Sequence, residues 1–409
     1  MLFRKRKPSG RRRPQPSLVP TAEEAAKAEL AIVEPPPPVA TAGPPEAEAG
    51  GVLTIDCAAI AHNWRTLASH AAPAECAAVV KADAYGCGVE PVTRALVAAG
   101  CTTFFVAHLS EARRVRTIAP NAALYVLNGV APGTAPAFAE IDARPVIGNL
   151  AELAEWDAFR RAGGWPGGAA LHFETGMNRL GLAAEEASAL AQRTRTAEHG
   201  IALVTSHLAC ADEPDHPLNA RQIEAFRDIR LMFRGIPASL ANSAGIFLGP
   251  AAHFDLVRPG LALYGGCPTT GPNPMRPVVE LKGRILQIRA VANGATVGYG
   301  ATWTARRATR LAVVAIGYAD GYPRPVSWSD TRRGGEAIVA GRRCPVVGRV
   351  SMDMTAVDIT DVPDPVRRGD FVTLLGGDIG IDDLAGWGHT ISYDVLTRLG
   401  QRFHRVWTM

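Results

Sequence analysis

Apolar residues follow two rhythms along this chain, and the change from one to the other divides it. Between residues 76 and 265, short apolar runs (CAAVV, TFFVA, ALYVL, RPVIG, AALHF, ALVTS, ASLAN, GLALY) alternate with segments of helical character at 89–99, 110–118, 149–162, 184–198 and 219–234. In the last segment Ile223, Phe226, Ile229 and Phe233 recur at intervals of three and four, the spacing of one buried helix face. Upstream, the strand-like VLTI runs into Asp56, a good helix N-cap, with Ile60, Trp64 and Leu67 at helical spacing behind it. About eight β/α alternations predict a closed parallel (β/α)8 barrel of the TIM type rather than an open sheet. From Leu281 onward the rhythm shortens to alternating strands (RILQIRAV, RLAVVAIG, EAIVAG, DFVTLL) punctuated by Gly, Pro and Asp, which predicts an antiparallel β domain.

Composition refines the division. With 409 residues and 47% apolar content the chain has enough material for two cores, and the boundary is expected near Lys282. The first 13 residues carry +7 of charge against a net +4, which leaves −3 for residues 14 to 409. Pro, Ala and Glu then dominate as far as Gly51, including PPPP at 35–38, so residues 1–51 are expected to form a disordered basic and Pro-rich tail. The barrel is expected over 52–281 and the β domain over 282–409. No nucleic-acid or membrane partner is expected for the folded part, because the basic run is confined to the tail. Nowhere does a run of about 18 uncharged apolar residues occur, nor an apolar N-terminal signal core, so a cytoplasmic protein is predicted. Seven scattered cysteines without a C-x-x-C pair predict reduced thiols and no metal.

Candidate chemistry begins at Lys81, which closes the apolar run CAAVV. Side chains just past the C-terminal ends of barrel strands line the active site of such a fold. A lysine there either snorkels to water or, partly desolvated, serves as a base or Schiff-base amine. The motifs that follow decide between these. KADAYG at 81–86, ETGMNRLG at 174–181, SHLACAD at 206–212, ANSAGIF at 241–247 and VRPGLALYG at 257–265 each close or follow a predicted barrel strand. With GYGATW at 298–303, GRVSMDMT at 348–355 and ISYDVL at 391–396, this ordered set resembles the alanine racemases from about residue 52 to the C-terminus.

The resemblance implies a fold-type III pyridoxal-phosphate enzyme, working as a homodimer, that interconverts L- and D-alanine and supplies D-alanine for peptidoglycan. Lys81 would hold pyridoxal 5'-phosphate and act as the proton carrier for the D-enantiomer. Tyr299, from the partner subunit, would serve the L-enantiomer. A phenol ordinarily stays protonated at neutral pH, so it needs a neighbouring cation or imidazole. His207 would lie against the pyridine ring and support that network. Arg258 would face the pyridine nitrogen and, being reluctant to give up a proton, keep it unprotonated and reduce transamination. Tyr85, Ser243, Gly260, Leu261 and Tyr393 stand where the family binds the cofactor's phosphate. Arg179 and the backbone N–H of Met352 would bind the substrate carboxylate, Met352 and Asp353 reaching across the dimer, and Tyr318 would narrow the entrance.

Three positions depart from the family pattern. His172 stands where many relatives carry a lysine, sometimes carbamylated, Glu174 where they carry an Asp, and Cys87 where a His is frequent. The support of Arg179 is therefore expected to differ. A serine or broad-specificity racemase of the same family is the nearest alternative reading. A non-catalytic pyridoxal-phosphate carrier shares a lysine-bearing barrel but lacks the β domain with Tyr299 and SMDMT.

Overall fold

The computed structural model describes residues 40–193, 200–363 and 365–409. Strands β1 (Ala40–Ala42) and β2 (Gly51–Asp56) come first, followed by a helix at Cys57–Ala71 whose N-terminus is capped by Asp56, its carboxylate accepting from Ala59 N–H at 2.8 Å. The parallel strands are β3 (Glu75–Cys76), its continuation β4 (Ala78–Val79), β5 (Thr103–Val106), β6 (Ala123–Val126), β7 (Arg144–Ile147), β8 (Ala169–His172), β9 (Ile201–Thr205), β10 (Ala238–Ser239) and β11 (Leu256–Val257). Each of β4 to β9 pairs in parallel with the next in sequence. β11 pairs with β3, and Asp255 N–H and Arg258 N–H donate to Ala238 and Ala241 carbonyls beside β10. The strand ring thus closes as expected of a barrel.

The closing strand lies upstream of the one predicted. GLALY was expected to be the eighth strand, but Leu261–Tyr264 is a 3-10 turn packed on the Cys57–Ala71 helix. Pairing persists as far as Pro259, whose carbonyl accepts from Val79 N–H at 3.0 Å, but Pro259 has no N–H to donate in return and the chain leaves the ladder at Gly260.

The second part holds β12 (Val279–Val291), β13 (Thr296–Val297), β14 (Trp303–Thr304), β15 (Thr309–Val314), β16 (Glu336–Val339), β17 (Arg342–Pro345), β18 (Thr355–Asp358), β19 (Phe371–Leu375) and β20 (His404–Thr408). Its nine-stranded sheet runs β1-β20-β2-β12-β19-β16-β17, with β15 joining β12 to β18. Two strands from the start of the chain therefore belong to this sheet, although VLTI was assigned to the barrel and residues 40–51 to a disordered tail. The reason lies in edge pairing: β2 satisfies backbone groups of both β12 and β20, and β1 covers the outer edge of β20. Arg284 adds hold on the segment by donating to Glu46 O at 2.8 Å. The rest of the expected tail, residues 1–39, lies outside the described residues. Two short helices, Ile381–Trp387 and Ser392–Arg398, interrupt a region read as all strand, and they bring Tyr393 to the barrel.

Candidate active site

Lys81 emerges two residues past the end of the buried strand Ala78–Val79, half-buried. The backbone then makes one turn of left-handed helix, with φ of 54°, 54°, 53° and 55° at Ala82, Asp83, Ala84 and Tyr85. Ala84 N–H donates to Val80 O and Gly86 N–H to Ala82 O, closing the turn. Such a conformation costs L-residues roughly 1–2 kcal/mol each, so the surroundings must hold it. Asp83 accepts from Val89 N–H at 3.1 Å and pairs with Arg114 at 2.8 Å. From the β domain, Arg405 donates to Gly86 O at 2.7 Å and Trp407 to Cys87 O at 2.6 Å. Gly86 (φ 80°) also lets the Ser392–Arg398 helix approach, since a Cβ there would sit 2.4 Å from Leu396 O. The turn thus aims Lys81 at the barrel mouth and locks Tyr85 into the core.

Around the mouth the expected barrel residues converge. Arg258 is fully buried and donates to Ser206 O at 2.6 Å, to Ser239 Oγ and, at 3.5 Å, to His207 Nδ1. It pairs with no carboxylate among the described residues, and burial lowers its pKa to about 10. Burial, then the Arg258 and Arg179 cations, push His207 well below its ordinary value, so its imidazole is neutral. Burial also pulls the Lys81 amine down, Arg179 adds to this and Glu111 opposes it. A lysine so placed has a larger neutral, nucleophilic fraction than a free one.

The two substitutions near Arg179 have visible consequences. His172 ends β8 with Nδ1 3.0 Å from Thr205 Oγ1, and burial, followed by Arg258, brings its pKa down to about 4. Glu174 turns back on its own loop: its carboxylate accepts from the N–H groups of Gly176, Met177 (2.5 Å) and Arg179 (3.3 Å). Burial works to raise the Glu174 pKa, but these N–H donors outweigh it and hold the carboxyl ionised. The loop bearing Arg179 is therefore supported by its own acid, beside a neutral imidazole.

On the opposite side, Ser243 Oγ accepts from Gly260 N–H at 2.9 Å and Ala262 N–H at 3.2 Å, fixing the Gly260–Leu261 turn. A Cβ on Gly260 would lie 2.2 Å from the Tyr85 hydroxyl, so only glycine leaves this cradle open. Tyr85 stacks on Tyr264, with ring centroids 4.6 Å apart, and Tyr393 closes in at 6.0 Å. Hydroxyls and backbone groups without bulk suit a phosphate, a cation without a carboxylate suits a ring nitrogen, and a lysine amine suits an aldehyde. The residues present therefore fit pyridoxal phosphate.

Four other expected residues form a second cluster in the β domain. Tyr299 lies on a turn at Tyr299–Ala301, 69% exposed. Tyr318 N–H donates to Ser351 O at 3.1 Å and Ala319 N–H to Met352 O at 2.9 Å, so the Tyr318 and Met352 loops are zipped together. Arg402 clamps them, reaching Asp320 at 2.7 Å and Asp353 at 2.8 Å. An open cleft of about 660 Å³, lined by Thr302, Arg324 and Arg349 among others, adjoins the Tyr299 turn. No hydrogen bond, ion pair or ring contact among the described residues joins Tyr299, Tyr318, Met352 or Asp353 to Lys81, Arg179, His207 or Arg258.

Several residues of the site have no motif of their own. Ser239, Gln222 and Arg402 act through contacts between segments far apart in sequence: Gln222, for example, donates to Thr175 Oγ1 and His207 O. Glu111 did carry a signal, an acid at the third position of a helix that follows a barrel strand.

A lysine-bearing parallel barrel joined to an antiparallel β domain, with this set of groups at the strand ends, defines a pyridoxal-phosphate enzyme of the barrel class. Family models for the alanine racemase N-terminal domain and C-terminal domain match residues 55–268 and 278–407. The chain belongs to the alanine racemase family. It is 52% identical to an alanine racemase of Methylobacterium sp. (strain 4-46), covering 88% of this chain and 98% of that one. Among solved structures, alanine racemase from Bartonella henselae with covalently bound pyridoxal phosphate superposes with a TM-score of 0.82 at 37% identity, covering 88% of this chain and all of that one. The biosynthetic alanine racemase from Pseudomonas aeruginosa gives 0.80, also at 37% and over the same shares.

Proposed function

We propose that this protein interconverts L- and D-alanine by a two-base mechanism, with pyridoxal 5'-phosphate held at Lys81. It is a pyridoxal-phosphate-dependent isomerase. The observation that carries the site assignment is the presence, at one barrel mouth, of a half-buried Lys81 and a buried Arg258 that pairs with no carboxylate among the described residues. When bound, the cofactor supplies an electron sink for the charge left as the Cα proton departs.

The protein's own groups do the rest. Tyr85, Ser243, Tyr393 and the backbone of Gly260 and Leu261 hold the phosphate. Arg258 would donate to the pyridine nitrogen and, being reluctant to give up its proton, would keep that nitrogen unprotonated. Arg179 binds the substrate carboxylate, its loop braced by Glu174, and Met352 N–H of the partner subunit assists. Lys81 Nζ would move the proton on the D side, and Tyr299 Oη of the partner subunit would move it on the L side. His207, kept neutral, supports that tyrosine. Two carriers on opposite faces are what inversion at one carbon requires.

The homodimer rests on the second cluster, since Tyr299, Met352 (53% exposed) and Tyr318 (42% exposed) need a partner's barrel to act on. No helix among the described residues is long and apolar enough to cross a membrane. We place the enzyme in the cytoplasm, supplying D-alanine for peptidoglycan precursors. A panel of amino acids followed by chiral separation tests the reading: alanine should racemise fastest, with serine and larger side chains slower. Cofactor binding without racemisation of any amino acid would sink it.

A further inference from the structure

We propose that Glu111 is a positioning residue for Lys81, its carboxylate tying the backbone just past the lysine to the end of the neighbouring barrel strand while facing the lysine amine. The inference rests on the assignment of Lys81 above. Three backbone N–H groups converge on this one carboxylate. Oε1 accepts from Ala82 N–H at 2.6 Å, and Oε2 accepts from Ala107 at 2.8 Å and His108 at 3.0 Å, the two residues that follow β5. Ala82 opens the left-handed turn, and its N–H finds no backbone acceptor among the described residues. The strand below is tied to β5 as well, Val80 N–H donating to Phe105 O at 2.9 Å. Glu111 therefore continues the strand pairing by one more residue, past the point where the backbone alone can do so.

A carboxylate in this place also sets the charge balance at the amine. Among the described residues, the groups that interact electrostatically with the Lys81 amine are Arg179 from the loop after β8, His207 from the loop after β9, and Glu111 from the helix after β5. The acid on the lysine's own turn, Asp83, is taken up by Arg114 and Val89 N–H. Burial and Arg179 favour the neutral amine, and Glu111 works against both. Charge and reach are thus separate properties of one side chain, and substitution separates them: glutamine keeps the length and drops the charge, while aspartate keeps the charge and loses the reach.

The test uses the full-length protein stripped of cofactor and given pyridoxal 5'-phosphate, with the rate of covalent capture followed by visible absorbance against pH. Only the neutral amine captures, so the midpoint of the profile reports the amine and the plateau reports its placement. In E111Q the midpoint should move to lower pH by about half a unit or more, because an anion is lost. E111D should keep the midpoint and lose several-fold in plateau rate, so the proposal stays testable even where E111Q fails to fold. A wild-type midpoint in E111Q, or a wild-type plateau in E111D, overturns it. K81A separates the two levels: covalent capture that persists in K81A refutes the lysine assignment itself, whereas capture lost in K81A but unaltered in E111Q and E111D refutes only the role of Glu111.

Discussion

At the scale of single residues, His172 gives the site its own pH signature. Burial, with Arg258 next, holds its imidazole at about 4 against an ordinary value of 6.5. A folded-state pKa below the unfolded one means the unfolded chain takes up the proton first. The contribution to stability is therefore complete above about pH 6.5 and is lost as the pH falls through 6.5 towards 4. At full protonation the loss amounts to roughly 3 kcal/mol. His172→Gln should accordingly show a smaller fall in unfolding temperature between pH 7 and pH 5 than the wild type. Equal falls in the two proteins would contradict a buried neutral imidazole. The identities of Lys81, Tyr85, Arg179, His207 and Arg258 were legible because each stands in a motif. The supporting Glu174 loop was not, because its carboxylate bonds to the backbone of its own turn and so depends on the fold of four successive residues.

Among the elements, the Tyr318 and Met352 loops carry the substrate contacts proposed for the β domain. Their backbones are zipped by two hydrogen bonds, and a Cβ on Gly317 would strike Met352 O at 2.3 Å, so the contact is close along its whole length. Arg402 bridges Asp320 and Asp353 from a half-exposed position. Asp320 is buried, but the Asp353 arm is exposed and contributes about 1 kcal/mol or less, so Asp353→Ala should cost little unfolding free energy. It should instead let Met352 drift, raising KM for alanine several-fold with a smaller change in kcat, as expected when a group binding ground and transition states alike is loosened. Steady-state kinetics beside thermal unfolding check this. Sequence periodicity located most barrel helices within a few residues, and it misplaced the eighth strand. Apolar content alone does not distinguish a two-residue strand at Leu256–Val257 from the buried 3-10 turn that follows it, since both are covered on all sides.

For the whole molecule, the division of the expected residues into two clusters has a direct test. Mixed after subunit exchange, inactive Lys81→Ala and Tyr299→Phe proteins should form hybrid dimers with one intact site, whose lysine and tyrosine come from different chains. Equal mixing should restore about a quarter of wild-type activity, because half of the dimers are hybrids with one working site of two. A mixture that stays inactive would refute the shared site. The N-terminal segment offers a second test. Removing residues 1–39 should leave racemisation and unfolding temperature unchanged, whereas extending the deletion to residue 50 should destabilise the protein, because it strips β1 from β20 and the Glu46 contact from Arg284.

By itself the sequence determined the barrel-plus-sheet architecture and the family, and it named the candidate reactive groups. Periodicity and motifs are local, and the chemistry of a lysine, an arginine or a tyrosine travels with the residue. Only the tertiary structure decided which sheet the first strands join, where the ring closes, and what braces each reactive group. Those outcomes depend on which backbone N–H meets which acceptor across hundreds of residues. The lysine's own turn illustrates the limit: KADAYG names the residue, while Glu111, Arg405 and Trp407 hold the strained backbone that aims it.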